Sequence, residues 1–236
     1  ALLVLATMVH AAPPSDGLLL WLDATDTTTV HVEEGIVSRW DNQASTGGAF
    51  VAEGTSRPRQ VTNAASRAGI LFDGINDALA DTAFKQRAKT WTLILVATPH
   101  GPSAEGGAFC SAVPSGGSDF DPGFTVDTYQ SSPQCFDQIS VEGAGRIGGQ
   151  QDQLNRDFTW QTPRLVIVER DDDAVRLYVD GEPEGVRPVS PAETVMDEIR
   201  IGARFYDGRE RAWFHGVIHT VLLYDRVLTP EARGDI

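Results

Sequence analysis

Three oxygen-bearing side chains fall within five consecutive positions of the segment ILFDGINDAL: Asp73, Asn76 and Asp77. Carboxylate and amide oxygens are hard ligands of the kind calcium takes, and carboxylates also serve acid–base hydrolysis. Calcium wants about six to eight oxygens, so these three supply only part of a shell, and carbonyls or another loop must complete it. The competing reading is a polar turn between two strands.

A second group lies in ARFYDGRER, where Arg204, Phe205, Tyr206, Arg209 and Arg211 join rings and cations in an otherwise acidic chain. A flat ring stacks on the apolar face of a sugar, and a guanidinium donates several hydrogen bonds in a fixed fork. These five are the candidate glycan-binding residues; the alternative is that the arginines only pair with nearby carboxylates.

Other patterns carry less. His215 and His219 in HGVIH have the spacing of a zinc helix but sit in a strand pattern. Four strand residues span about 13 Å, whereas one zinc holds each nitrogen at about 2.1 Å, so a shared zinc is excluded there. GAGRIG, Gly143 to Gly148, fits a dinucleotide pattern but has no strand–helix frame around it. The acidic run ERDDD falls in a turn, and the neighbours Asp197 and Glu198 would point to opposite faces of a strand. Trp21, Trp40, Trp91, Trp160 and Trp213 all lie on or beside candidate strands and read mainly as core.

Nineteen basic against thirty-three acidic residues give a net charge of −14. Such a surface disfavours nucleic acid and anionic membranes as partners. The two cysteines, Cys110 and Cys135, form no CxxC pair; in an oxidising compartment they would make one disulfide, and in a reducing one two buried thiols. Residues 1–14, ALLVLATMVHAAPP, resemble the apolar and cleavage regions of a signal peptide or leader, which points to a secreted, periplasmic or cell-surface protein. A first strand or a fragment of a membrane anchor is the other reading. No window is long and apolar enough to span a bilayer.

The elements that must position these groups are strands. LLLWLDA (18–24), IVSRW (36–40), GILFDG (69–74) and TWTLILVAT (90–98) are short, apolar and bounded by turn residues. GGAFCSAV, GFTVDTY, QISVEG, RLVIVER, AVRLYVDG, EIRIGARF and WFHGVIHTVLLYD continue the series, and these eleven segments read as an antiparallel sandwich or barrel. RLVIVER and AVRLYVDG flank Asp171–Asp173 as a hairpin. The last strand is expected to alternate evenly, with Phe214, Gly216, Ile218, Thr220, Leu222 and Tyr224 on one face, and to lie centrally because both faces are apolar. Helical character is confined to AFKQRAK (83–89) and to the end, where Thr229, Pro230 and Glu231 make a helix start. No linker divides the chain, so residues 15–236 read as one domain, with ends that look trimmed from a longer protein.

Taken in order, LLLWLDATD, VSRWDNQASTGG, ILFDGINDAL, WTLILVATP, VRLYVDGEPEG, IRIGAR and FHGVIHTVLLYDRVLTPEA resemble the laminin-G-like modules of bacterial secreted proteins, within the concanavalin A-like lectin and glucanase superfamily. The resemblance is weakest between Gly101 and Trp160. It implies an all-β jelly-roll sandwich of two antiparallel sheets with one short C-terminal helix. The glucanases of that superfamily carry Glu-x-Asp-x-x-Glu on one strand, which this chain lacks. The acidic-amide run that pentraxins place after the strand matching IRIG is here Ala203, Arg204, Phe205 and Tyr206, and Thr220 stands where related modules often carry a carboxylate. Both departures weaken a borrowed calcium site. The expectation is therefore a non-catalytic module binding a polysaccharide or other glycan beside neighbouring domains. A structural or protein-interaction module is second, and a glycoside-active enzyme third.

Overall fold

The computed structural model describes residues 12–52, 54, 56–62, 67–101, 106–129, 138–145 and 161–234. The leader-like residues 1–11, Cys135, Trp160 and the GAGRIG residues beyond Gly145 lie outside them. In chain order the strands are β1 (Leu18–Asp23), β2 (Val30–Glu33), β3 (Ile36–Asp41), β4 (Ala49–Val51), β5 (Arg59–Thr62), β6 (Ala68–Asp73) and β7 (Leu79–Asp81). Then come β8 (Gln86–Ala88), β9 (Trp91–Pro99), β10 (Gly107–Val113), β11 (Phe124–Tyr129), β12 (Gln138–Gly143), β13 (Arg164–Arg170) and β14 (Ala174–Val179). The last are β15 (Glu182–Pro188), β16 (Thr194–Met196), β17 (Glu198–Ile201), β18 (Arg204–Tyr206), β19 (Arg209–Arg211) and β20 (His215–Tyr224), followed by helix α1 (Pro230–Gly234).

One hydrogen-bonded path runs β12-β11-β10-β17-β7-β4-β3-β5-β6-β20-β9-β13-β14-β15, with β2 beside β3 and β1 beside β20. It folds over at β3–β5, where only Ile36 and Arg59 pair. The two halves become the layers of a jelly-roll sandwich: sheet I from β12 to β3, and sheet II from β5 to β15. Their inner faces share one core, in which Trp91 of sheet II stacks on Phe124 of sheet I at 4.5 Å between centroids. The Trp91 Nε1–H donates to Thr194 Oγ1 at 3.0 Å, so the buried indole loses no hydrogen bond. Trp40 and Trp91 are fully buried, as expected of core residues.

The hairpin β13–β14 forms in the expected register, with Arg170 opposite Val175 and Val166 opposite Val179. Its turn is tied by Asp171 Oδ1, which accepts from the amides of Asp173 and Ala174. The C-terminal helix also forms where Thr229 caps it, accepting from the Ala232 amide at 3.2 Å. With Leu228, Ala232 of that helix covers an apolar patch outside sheet II, built from Leu18, Ile94, Ile167, Leu222 and Tyr224.

Two expectations are corrected. AFKQRAK is no helix: Asp81 Oδ1 caps a turn at Ala83, Lys85 takes a positive φ of 54°, and Gln86–Ala88 pairs with Thr194–Met196. Seven residues are too few to repay helix nucleation when a partner strand is at hand. The last strand is central as expected, but its alternation breaks. Ile218 faces Ala97 and Thr220 faces Val96, leaving His219 as a bulge. Beyond it the parity switches: Phe214 and Ile218 join the core with Val221 and Leu223, while Leu222 and Tyr224 turn to the outer patch.

Candidate functional site

The outer face of sheet I is polar because β11 and β12 alternate. Phe124, Val126, Ile139 and Val141 enter the core, so Thr125, Asp127, Ser140 and Glu142 take the opposite face. The register sets Asp127 directly opposite Ser140 and Thr125 opposite Glu142. Across this face lies Arg204, the first residue of the β18–β19 hairpin. Its Nη1 and Nη2 donate to Glu142 Oε1 and Oε2 at 2.8 and 2.7 Å. Its Nε and Nη2 donate to the two oxygens of Asp119 at 3.1 and 3.0 Å, and Nη1 reaches Asp127 Oδ2 at 3.4 Å.

Three carboxylates thus surround one guanidinium, and all four side chains are largely withdrawn from water, at 13% exposure for Arg204, 0% for Asp119, 5% for Asp127 and 8% for Glu142. Burial pushes the Asp127 carboxyl well above its ordinary range; Arg204 opposes this, while the charges of Glu142 and Asp119 add to it. For Arg204 burial acts downward, but the hydrogen bonds of Asp119 and Glu142 outweigh it and leave the guanidinium above its ordinary value. Asp127 Oδ1, Thr125 Oγ1 and Ser140 Oγ are buried on this face without a hydrogen-bond partner among the described residues.

The same contacts fix the loop before β11. Asp119 Oδ2 accepts from the Phe205 amide at 3.0 Å, and the Asp119 amide donates to the Phe205 carbonyl at 2.9 Å. Next to Asp119, Phe120 packs on Tyr206 with centroids 5.8 Å apart. Phe120, Asp121 and Pro122 line one cleft of about 190 Å³ together with Gly145, Ser190, Ala192 and Glu193. Gly143, at φ +74°, lets the chain pass under this loop, since a Cβ there would lie 2.5 Å from the Gly123 carbonyl oxygen and 2.7 Å from that of Phe120. On the other side, buried Arg170 donates to the carbonyls of Ala144, Ser190 and Ala192, holding the segments that carry Gly145 and Ser190.

The five expected glycan-binding residues are therefore brought together on one hairpin with unequal roles. Arg204 is committed to carboxylates, the alternative reading for these arginines. Phe205 lies under the Arg200 guanidinium at 4.0 Å, and Arg200 itself pairs with Glu198 and Glu210. Tyr206 is half-buried between Phe120 and Arg211, whose guanidinium sits 4.7 Å above the ring. Arg209 is exposed.

In the Asp73–Asp77 turn, Asp73 Oδ1 accepts from the amides of Ile75, Asn76 and Asp77 at 2.8, 3.2 and 3.4 Å. Asp77 Oδ2 accepts in return from the Asp73 amide at 3.1 Å. Burial, followed by the nearby Asp73 charge, pushes the Asp77 carboxyl up to about 6. Among the described residues no three His, Cys, Asp or Glu side chains converge to hold a metal. His219 is buried with Nδ1–H directed at the Ala68 carbonyl, 2.8 Å away, and Nε2 3.1 Å from Thr98 Oγ1; burial lowers its pKa. Asp197 and Glu198 diverge as expected, one to Arg87 and the Ser115 amide, the other to Arg200. Cys110 lies fully buried on β10, where burial raises its thiol pKa.

Sequence reasoning missed Asp119, Asp127 and Glu142. The alternation inside FTVDTY and QISVEG carries the signal that Asp127 and Glu142 leave the core, but only the pairing register brings them to one guanidinium.

No helix among the described residues is long and apolar enough to cross a membrane. No curated protein sequence matches the chain. Among solved structures it is similar to Trypanosoma rangeli sialidase in complex with sialic acid, at 13% identity and a TM-score of 0.61, over 94% of this chain and 33% of that one. The chain thus spans about a third of the sialidase. It is similar also to domain 4 of AbnA, a GH43 extracellular arabinanase from Geobacillus stearothermophilus in complex with arabinotriose, at 11% identity and a TM-score of 0.60, over 94% of this chain and 98% of that domain. The binding domain of Botulinum Neurotoxin DC in complex with SialylT matches at 7% identity and a TM-score of 0.60, over 94% of this chain and 52% of that one. These likenesses concern the fold. A family model matches residues 73–232, and with it the chain belongs to the laminin-G-like family of the concanavalin A-like lectin and glucanase superfamily.

Proposed function

We propose that this chain is a carbohydrate-binding domain of an exported protein, and that it takes an uncharged sugar at the cleft between Phe120–Pro122 and Ser190–Glu193. The observation that carries the reading is the pairing of this cleft with a ring platform: Phe120 lines it and packs on Tyr206, which Arg211 caps. Rings of this kind stack on sugars, and Asp121 and Glu193 accept hydrogen bonds from sugar hydroxyls. Those two carboxylates, in a chain of net charge −14, disfavour an anionic sugar. The cleft is smaller than most drug-sized pockets and suits one sugar ring of a longer chain. An arabinanase domain of the same fold and length, bound to neutral arabinotriose, supports this choice.

A glycan array on the chain tests it. Binding to neutral oligosaccharides, weakened in Phe120→Ala, is the expected result. Silence on every neutral and sialylated glycan would remove the reading and leave a structural or protein-interaction module. Turnover is favoured by one observation, the presence of two carboxylates, Asp121 and Glu193, in the cleft. Reducing-sugar release from an array hit, lost in both Asp121→Asn and Glu193→Gln, would replace binding by catalysis.

A further inference from the structure

Among the described residues, the cluster around Arg204 carries more buried negative charge than its one cation balances. Asp119 comes from the cleft loop, Asp127 from β11 and Glu142 from β12, and all three reach the same guanidinium. The strand on the other side of β11 adds no charge, since Ala108 and Ser111 of β10 face Asp127 and Thr125. The next strand, β17, brings Arg200, but Glu198 at 2.8 Å and Glu210 at 3.3 Å already occupy it. Three ionised carboxylates against one cation, withdrawn from water, are held together only at high cost, so the cluster keeps a proton.

We infer that this cluster is a proton-controlled latch on the cleft: while one carboxyl is protonated, Arg204 clamps the Asp119 loop and the β18–β19 hairpin to sheet I, and loss of that proton loosens both. Asp127 is the proton's seat. Among the described residues its Oδ1 has no hydrogen-bond partner, and it makes the longest of the Arg204 contacts, whereas Asp119 and Glu142 each accept two shorter bonds from the guanidinium. When Asp127 ionises, the added charge repels Asp119, the one carboxylate of the three carried on a loop. That loop runs directly into Phe120, Asp121 and Pro122, so release alters one wall of the cleft and separates Phe120 from Tyr206. The effect on sugar binding rests on the cleft being the glycan site. The latch does not.

Hydrogen exchange of the whole chain across pH, corrected for intrinsic rates, reads the latch without any ligand. Protection of residues 114–123 and 203–211 should fall together as pH rises past the protonated range, by up to about tenfold per pH unit for a single proton. Asp127→Asn, which keeps the uncharged shape, should abolish that fall, while the wild-type scan stands as evidence even if this variant folds poorly. Protection that is flat with pH in the wild type, or that falls equally in Asp127→Asn, would overturn the latch. So would a fall that added calcium suppresses, because an ion and not a proton would then balance the charge. If exchange behaves as stated but no glycan binds, the functional reading fails and the latch stands; glycan binding with flat exchange reverses that outcome.

Discussion

Arg187 Nη2 donates to the Val141 carbonyl at 2.9 Å, and this contact joins the end strands of the two sheets among the described residues. Arg187 belongs to β15, the last strand of sheet II, and Val141 to β12, the last strand of sheet I. A second bond from the same nitrogen, to the Gly143 carbonyl at 2.8 Å, completes the clasp. Exposed strand edges invite pairing with other chains, and here one buried guanidinium covers the open carbonyls of β12.

Replacing that guanidinium leaves buried carbonyls without a donor. Arg187→Ala should cost about 2–4 kcal/mol in urea unfolding, well above the effect of an exposed arginine such as Arg209. Equal midpoints for Arg187→Ala and Arg209→Ala would mean that the clasp adds nothing.

Asp127 binds its proton more tightly in the folded than in the unfolded chain. Between the unfolded aspartate pKa of about 3.9 and the higher folded value, the native state holds one proton more, so stability falls as pH rises and then levels off. Asp127→Asn lacks this term. Its melting temperature should match the wild type near pH 4 and exceed it increasingly until the folded Asp127 has ionised, beyond which the difference stays constant. A variant less stable than the wild type at pH 8 would show that the ionised carboxylate is a net asset.

In the Asp73 turn one carboxylate oxygen already accepts from three amides. Asp73→Ala should therefore destabilise by about 1–2 kcal/mol without any metal present. Calcium at the turn's three oxygen-bearing side chains, Asp73, Asn76 and Asp77, is a proposal, against which the amide bonds predict no calcium dependence of the melt. A rise in melting temperature with calcium, reversed by chelator and absent in Asp73→Ala, would place the ion there.

At the cleft, Tyr206→Ala should weaken any glycan found on the array by about 3–10-fold, the worth of one ring contact, while Arg209→Ala should change affinity little. Titration calorimetry separates the two. A larger loss from Arg209→Ala would move the binding surface to the hairpin tip.

Much of the fold is legible in local pattern. The Asp171 turn, the Thr229 cap and the apolar runs of β1, β9 and β13 each announce themselves within a few residues. What local pattern hides is parity and partnership. The bulge at His219 is set by its neighbours: the Ala24 amide, just after β1, donates to its carbonyl at 2.9 Å, while Ala68 and Thr98 hold its ring. Nothing in HGVIHTVLLY marks it. The candidate site was half legible for the same reason. The rings and cations of Phe205 to Arg211 stand out by type, whereas Asp119, Asp127 and Glu142 are scattered in sequence and meet only through register.

β20 sets a rule for biosynthesis as well. Its first half pairs with β6, its second half with β1, and its whole length with β9, all three from the first half of the chain. Those strands leave the ribosome long before the neighbour they share. Until residues 215–224 follow, β1, β6 and β9 lack the strand that joins them edge to edge, so sheet II is completed only after synthesis has passed this strand. A ribosome stalled short of His215 would hold an open, adhesive chain, and cofactor-free chaperone binding to such stalled chains is where that interval would be seen.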